Sequence, residues 1–568
     1  MSRDVGYLLL LGSIPALVLL HLVVAQYTKV EESFHIQAIH DIQAFGIPTR
    51  NVSDVFRAAY DHFTFPGAVP RTFAGAIVLS SLSAPFTWLN QDLNGQFAAR
   101  ALLGLFNALS LLSFARSLRR AAGKTAAVWY VLFQASQFHV IYYASRTLSN
   151  MFAFGMTTFA LAALLPAPVD GQTYRKQSRL ALYLITIAGI VFRAELALFL
   201  ATHTLFLLIA GRISIQREII PAGILGLTLG LAITIPVDSF FWQQFPLWPE
   251  LTAFKFNVVA GQASAWGTHP WHYYFTNALP RLLLNPLTYL VGIPISLFQP
   301  ATRRISSSMI IPSLSYVALY SGQPHKEWRF IVYAIPSLTA AAALGASYIW
   351  THQAKSLIYR LLSLAMIGST LVSFAISSLI LLPASSANYP GAHALNTLHT
   401  HVLTTTPRPG NPPLPLNIHL GNLACQTGVT RFVQLPSTPS KDSPYITWHY
   451  DKSDSPSQKA SPAFWSKFDY VLLEPSEADA VRALSSADSW QEIDTVTAFA
   501  GIRVLGPGDE ARAVVEEAIL RKALGPSADG LISRWKGLVE LVRGRVTKGW
   551  WAEVRMEPRI KILERVKS

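Results

Sequence analysis

From Tyr7 to Ala25 the chain carries no charged side chain and only His21 as a strongly polar group. As a helix rising 1.5 Å per residue, that run matches the roughly 30 Å hydrocarbon core of a bilayer. Inside that layer every backbone N–H and C=O must be paired within the spanning structure, which leaves only helices and closed barrels. A secretory signal is the alternative for a first apolar run. Here its n-region is poor, the run is long, and no small-residue cleavage pattern follows, so the segment reads as a span. Further apolar segments lie near residues 73–90, 97–115, 125–143, 149–166, 180–210, 219–237, 282–299, 308–321, 329–350 and 356–383. The expectation is a mainly α, polytopic membrane fold with about 11–13 transmembrane segments.

Composition agrees, because only 14% of the 568 residues are charged and 51% are apolar. An ordinary soluble domain has about 25% charged residues, so this chain has too little polar surface for a water-soluble globule of its size. A net charge of +14 does not indicate nucleic acid as a partner, since the cations cluster at segment ends. Arg116, Arg119, Arg120 and Lys124 form one such cluster, Arg175, Lys176 and Arg179 a second, Arg212 and Arg217 a third, and Arg303 and Arg304 a fourth. The positive-inside rule wants all four in the cytosol, whereas simple alternation of the apolar segments puts the first two on the other side. Two repairs restore agreement. Residues 73–115 make one net crossing with a re-entrant part, and residues 180–210, about 46 Å long as one helix, break near Arg193-Ala194-Glu195. The single cysteine, Cys425, excludes an intrachain disulfide and any cysteine-based metal site.

This topology leaves residues 27–72, 238–281 and 321–329 on one face. Phe34, Ala38, Ile39, Ile42 and Phe45 recur at spacings of three and four, so the first loop contains an amphipathic interfacial helix. The second loop is dense in aromatics, among them Trp242, Trp248, Trp266 and Trp271, and reads equally as an interfacial belt or a sugar-stacking surface. The organisation is a transmembrane part, 1–383, that includes the loop 27–72, followed by a small soluble α/β part, 384–568. The Pro-rich run at 406–413 is a linker. Strand patterns lie at Leu416–Leu420, Arg431–Leu435, Tyr470–Glu474 and Ile502–Leu505, with helical patterns at 509–524 and 530–543. The basic tail through Arg534, Lys536, Arg543, Arg545, Lys548, Trp550, Trp551 and Arg555 reads as a solvated helix face, with anionic headgroups as the other reading.

Two charged clusters sit at membrane edges. Glu31 and Glu32 follow the first span, and adjacent helical positions point about 100° apart, so one faces a reacting group while the other orients or caps. A carboxylate at a low-dielectric boundary suits a general base, although acids also start helices for electrostatic reasons. His325, Lys326 and Arg329 supply donors to a phosphate, with Glu327 to orient one of them. A helix beginning at His325 would put Lys326 and Arg329 on one face, and a charged cap with snorkelling side chains is the structural alternative. Arg71 is a further phosphate ligand. Asp61, His62, Arg146, Trp266 and Trp271 are candidates for substrate contact, although a histidine such as His62 is more often a hydrogen-bonding support than a catalyst. There is no Asp-x-Asp metal motif, P-loop or dinucleotide fingerprint, so a metal-dependent nucleotide-sugar donor has no support and no metal or cofactor is expected.

Several stretches together resemble the endoplasmic-reticulum mannosyltransferases that use dolichyl-phosphate mannose, glycosyltransferase family 22 of the GT-C type. They are Tyr27 through Phe34, Tyr60-Asp61-His62, Phe65 through Phe73, Arg146 through Asn150, Val191 through Leu196, Trp248-Pro249-Glu250, Trp266-Gly267-Thr268 and His325 through Phe330. The likeness covers most of residues 20–340 and is weak over 384–568, and His35 stands where the family has Asn. It implies a GT-C fold whose first luminal loop carries the acid, with Glu31 aligned to the first acid of the family's pair and Glu32 to the second. Glu31 is then the base and Glu32 the alternate. The implied reaction is inverting transfer of mannose from dolichyl-phosphate mannose to a dolichyl-diphosphate-linked Man7GlcNAc2 acceptor, forming an α-1,6 linkage on the luminal side of the membrane. A sister α-1,2-mannosyltransferase is the nearest alternative. A transporter and a non-catalytic glycosylation subunit are the rivals from other classes.

Overall fold

The computed structural model of the protein describes residues 2–165, 171–405, 413–438, 445–484, 489–510 and 513–566. By internal contacts the chain divides into two compact units, Met1–Leu22 with Asp41–Ser378, and Val23–His40 with Leu379–Ser568. The division passes through one continuous helix, Val30–Phe45, so the acid-bearing start of the first loop groups with the C-terminal part.

The first unit is helical. Among the described residues, five helices are long and apolar enough to cross a bilayer: Val5–Val24, Gly95–Ala122, Ile215–Trp242, Val332–Thr351 and Leu357–Ser386. Tyr274–Leu283 and Thr288–Phe298 meet at 111° and make a sixth crossing if they are counted as one span. Three further apolar helices, Ala74–Leu89, Ser149–Leu164 and Leu196–Ile209, are only about 21–24 Å long at 1.5 Å per residue. Several apolar runs are divided. Residues 180–210 break as expected, into Gly171–Val191 and Leu196–Ile209 around Arg193-Ala194-Glu195. The run at 125–143 divides at Gln137 into Lys124–Ser136 and Phe138–Tyr143.

Burial separates inner helices from outer ones. Of the most apolar stretch of Val332–Thr351, 89% is buried, against 22% for Ile215–Trp242 and for Leu357–Ser386. The central helix owes its close packing to small residues, Ala340 through Ala343 and Gly345. A β-carbon on Gly345 would collide with the Gly292 carbonyl, and one on Gly292 would lie 2.9 Å from the Ala342 carbonyl oxygen. The bent segment therefore meets the central helix backbone to backbone, a contact that only glycine permits.

The second unit carries a five-stranded sheet in the order β2-β1-β3-β5-β4. The strands are β1 (Leu414–Leu420), β2 (Ile446–Asp451), β3 (Tyr470–Leu473), β4 (Trp490–Leu505) and β5 (Trp551–Arg565). β1 runs parallel to β2 and β3, whereas β5 is antiparallel to both β3 and β4. Leu395, Leu398 and Val402 of the helix Pro390–Thr405 pack with Leu416, Ile418, Leu420 and Trp448 of the sheet to form its core.

Three local expectations change here. Arg431–Leu435 is a turn: Val433 and Gln434 donate to the Thr430 carbonyl, Arg431 N–H donates to Gln37 Oε1, and Leu435 N–H to Tyr450 Oη. Its backbone donors are thus committed elsewhere than to a strand ladder. Ile502–Leu505 is the end of a sixteen-residue strand. The basic tail is helical only over Asp529–Arg545, while Trp551 and Arg555 lie in β5. The linker at 406–413 falls almost wholly outside the described residues.

Alanine at Gly345 should lower the unfolding temperature of the detergent-solubilised protein, by overpacking worth about 1–3 kcal/mol. Alanine at Gly368, which has nothing within 4 Å of an added β-carbon, should leave it unchanged or raise it, as helix propensity favours.

Candidate active site

Within the first unit, the break between Val191 and Leu196 presents Arg193 and Glu195 where no helix ladder occupies the backbone. The Glu195 carboxyl is 5% exposed, and a buried carboxylate is tolerated only with partners. It accepts from Arg193 Nε at 2.8 and 3.1 Å, from Asn150 Nδ2 at 3.1 Å and from Tyr333 Oη at 3.2 Å. Asn150 Nδ2 also lies 2.9 Å from Tyr333 Oη and 3.2 Å from the Arg329 carbonyl. One carboxylate and one amide thereby tie three separate chain segments together.

Glu250, in the first turn of the short helix Pro249–Phe254, accepts from Ala194 N–H at 2.6 Å. Burial pushes its carboxyl up to about 8, opposed by Arg193 and, more weakly, Arg71, while the neighbouring Glu195 adds to the rise. One guanidinium serving two carboxylates favours keeping a proton on one of them. Arg71 is brought to this network by its charge interaction with Glu250, and its own carbonyl accepts from Trp242 Nε1 at 3.0 Å.

The segment His325–Arg329 is not helical at its start. Glu327 is extended, and a 3-10 turn begins at Trp328, so Lys326 and Arg329 do not share a helix face. Instead Glu327 gathers the cations, accepting from Arg329 Nη2 at 2.5 Å and from His325 Nε2 at 3.0 Å. The other His325 nitrogen, Nδ1, faces the Gly267 carbonyl at 3.0 Å. Both ring nitrogens thus face oxygen atoms. Lys326 is 3% exposed and donates to the carbonyls of His269 at 3.0 Å and Gln323 at 2.5 Å. Burial lowers its pKa. Two of its three protons are held by backbone, so Lys326 acts here as a clamp.

That clamp links the aromatic loop to the cations. His269 N–H donates to the Pro324 carbonyl at 3.0 Å, which with the Gly267 and His269 carbonyl contacts pins Gly267–His269 against Pro324–Lys326. Trp266 and Trp271 flank the pinned stretch and are 59% and 71% exposed. Arg146, 1% exposed, lies with its guanidinium 4.2 Å above the Tyr142 ring, and Trp328 packs 4.3 Å from the neighbouring Tyr143.

Asp61 and His62 support the first loop. Asp61 N–H donates to Asp41 Oδ2 at 2.7 Å, and His62 Nε2 donates to the Phe241 carbonyl at 2.8 Å. The His62 ring is buried among Phe56, Phe63, Phe73 and Trp242, and that burial lowers its pKa. Phe73 stacks on Phe241 at 4.2 Å and its N–H donates to Asp238, which anchors the end of the loop to the end of the helix Ile220–Trp242.

Glu31 and Glu32 belong to the second unit. The helix Val30–Phe45 makes Lys29 its cap position and Glu32 its third residue, and Glu32 Oε1 accepts from Lys29 N–H at 3.2 Å. This is the carboxylate half of a capping box. Glu32 is 2% exposed, whereas Glu31 is exposed. The turn before the helix is held by C-terminal residues. Asn396 Nδ2 donates to Tyr27 Oη at 2.7 Å, Lys29 Nζ sits 5.4 Å above the Tyr389 ring, and Tyr27 packs edge-on against His393 at 5.1 Å. Further along, Arg431 N–H donates to Gln37 and His40 packs against Phe432 at 5.0 Å.

In sum, the first unit joins His325, Lys326 and Arg329 to Trp266 and Trp271 through the pinned loop, and to Arg71 through the Glu195 and Glu250 network. Sequence reasoning did not single out Tyr333 and His269, and it quoted Glu250 only within the family-like stretch Trp248-Pro249-Glu250, without a role. A signal existed for Glu250 alone, an acid directly after a helix-starting proline, Trp248-Pro249-Glu250.

The profile of the Alg9-like mannosyltransferase family matches residues 14–432. The Dol-P-Man:Man(7)GlcNAc(2)-PP-Dol alpha-1,6-mannosyltransferase of Saccharomyces cerevisiae is 33% identical over 511 residues, covering 85% of this chain and 86% of its own. The protein of the same name from Arabidopsis thaliana is 34% identical over 506 residues, covering 88% and 92%. Among solved structures, ArnT from Cupriavidus metallidurans, bound to undecaprenyl phosphate, superposes with a TM-score of 0.54 at 14% identity, covering 86% of this chain and 96% of its own. That likeness gives the fold, a GT-C-type membrane fold. The protein is a membrane-embedded glycosyltransferase, which removes the transporter and the non-catalytic subunit from consideration. The chain belongs to the Alg9-like mannosyltransferase family.

Proposed function

We propose that the protein transfers mannose from dolichyl-phosphate mannose to a dolichyl-diphosphate-linked Man7GlcNAc2 acceptor, forming an α-1,6 linkage on the luminal side of the endoplasmic-reticulum membrane. What carries the substrate assignment is that relatives bearing that activity in their names are 33–37% identical over 76–88% of the chain. Glu31 is the base. It takes the proton of the acceptor 6-hydroxyl as that oxygen bonds to the anomeric carbon of the donor mannose. The bond from that carbon to the phosphate oxygen breaks on the opposite face, so a β-linked donor gives an α-linked product. Dolichyl phosphate departs as a good leaving group and needs no protein acid.

The division of labour within the acid pair rests on local geometry. Glu32 spends Oε1 on the helix cap, while Glu31 is exposed one position earlier. On the donor side, Arg329, His325 and Arg71 are the cations for the phosphate, with Lys326 holding the loop that carries Trp266 and Trp271. The two tryptophans offer apolar faces to pyranose rings. Asp61 and His62 serve the loop, and Arg146 orders the segment beneath Trp328.

Glu31→Gln keeps the size and removes the proton acceptor, so transfer by the purified, folded variant should fall by about 10²–10⁴-fold. Glu32→Gln retains an acceptor oxygen for Lys29 N–H and should lose far less. Equal activity of Glu31→Gln and wild type would move the base elsewhere. Absence of wild-type transfer to the Man7 acceptor would remove the α-1,6 assignment.

Asn396→Ala removes the donor to Tyr27 Oη, and Tyr27→Phe removes the acceptor. Each should lower kcat about fivefold, as expected for one hydrogen bond of about 1 kcal/mol, and the double variant should be no worse than either single one. Additive losses would mean that the two residues act separately.

Glu250 is raised from the ordinary carboxylate range to about 8 in the folded protein, so the fold gains from its neutral form. That stability is fully present below the unfolded value near 4.5 and is lost as pH rises towards 8. Glu250→Gln, which is neutral throughout, should therefore show a smaller drop in unfolding temperature than wild type between about pH 5 and pH 8.

A further inference from the structure

We propose that the helix Asp529–Arg545 is a docking surface for an anionic lipid bilayer, engaged through Leu531, Arg534, Leu538, Leu541 and Arg545. The helix lies in the connection between β4 and β5. Those five positions follow each other at spacings of three and four and fall on one face. The opposite side buries Ile532 and Val539 at 6% and 4% exposure, so the helix already has an inner face. Its outer face shows Leu531, Leu538 and Leu541 at 45%, 51% and 51% exposure. Arg534 and Arg545 are exposed there as well, and no ion pair or side-chain hydrogen bond engages either of them among the described residues.

The acidic partners nearby are turned elsewhere. Glu517 takes Lys536 at 3.0 Å and Arg521 at 3.0 Å, Asp529 takes Arg521 at 2.9 Å, and Glu540 lies about 100° or more around the helix from every residue of the stripe. Arg543 fixes the orientation by donating to the carbonyls of Asp509 at 2.8 Å and Gly549 at 2.9 Å, which ties the helix end to the loops at the ends of β4 and β5. Directly beyond the helix, Val546 and Trp550 are 70% and 56% exposed and Lys548 is exposed. Leucines interleaved with unpaired arginines and followed by a tryptophan and a lysine match a helix lying in the plane of a bilayer surface. There the leucines enter the acyl boundary while the guanidinium groups stay at lipid phosphates, so no charge is desolvated. A protein partner would have to supply acids to two arginines that it takes out of water. The chain's own spanning helices keep a bilayer tethered to this unit at high effective concentration.

The test uses the full-length protein with Cys425→Ser and a polarity-sensitive fluorophore at Leu538→Cys, in nanodiscs of phosphatidylcholine with or without phosphatidylserine. Docking gives a blue-shifted emission in the anionic discs that brominated acyl chains quench, and a label at Ser533→Cys on another face stays unquenched. Replacing both Arg534 and Arg545 by Gln should lower the ratio of docked to free helix by about 30-fold, because each cation near an anionic surface contributes about fivefold. Solvent-like emission in both kinds of disc overturns the proposal. So does a blue-shifted label that bromine does not quench, the mark of a protein contact, and so does docking unchanged by the arginine replacements.

Discussion

A carboxylate 5% exposed in a membrane protein is the constraint on which the rest of the first unit depends. Glu195 stands where a run of apolar residues breaks, and its charge costs several kcal/mol there unless donors surround it. Its donors come from three places in the sequence: Arg193 beside it, Asn150 at the start of Ser149–Leu164, and Tyr333 in the 3-10 turn that opens the central helix. Satisfying one charge therefore fixes the relation of three elements, and the Arg329 carbonyl is held by the same Asn150 amide. Tyr316 extends the hold by donating to the Phe330 carbonyl at 2.5 Å. The chain segment that carries the cations is positioned by a network that does not itself use those cations.

Lys326 illustrates how a motif residue changes meaning when its neighbours are known. By spacing it is one of three donors in a row. In the fold its ammonium is buried and its protons go to the carbonyls of Gln323 and His269. That exchange of a free cation for a clamp ties the aromatic loop to the His325–Arg329 segment. Arg329 and His325, both held by Glu327, are then the more accessible cations, with side chains 20% and 17% exposed.

Much of this was legible in the sequence, for physical reasons that can be named. Uncharged runs of about twenty residues match a helix crossing lipid, and the break at Arg193–Glu195 followed from length and charge alone. The break within 125–143 was not legible, because hydropathy registers a broken run as readily as a continuous one, and Gln137 at the break donates to Thr339, 202 residues away. β5 was missed because Trp551–Arg565 alternates weakly, contains Pro558, and pairs with β4 through three register shifts. Arg431–Leu435 has the composition of a strand, yet its backbone donors go to a turn and to the side chains of Gln37 and Tyr450. The partners of Glu250 and His269 were not legible, since Ala194 and Lys326 lie 56 and 57 residues away in the chain.

The acid pair shows why adjacency in sequence does not mean equivalence. A helix start leaves backbone N–H groups without intrahelical partners, and a carboxylate at the third position is placed to reach back to the cap. Glu32 does so, which buries it and commits one oxygen, while Glu31 faces outward at the position before. The same short stretch then needs a rigid entry, because a base must sit within hydrogen-bond reach of the hydroxyl it deprotonates. Tyr27 and Lys29 provide that entry by contacts to Asn396, His393 and Tyr389. A domain that looks detached in the sequence thus has a direct physical relation to the proposed chemistry, through ring and hydrogen-bond contacts within five residues of the acids.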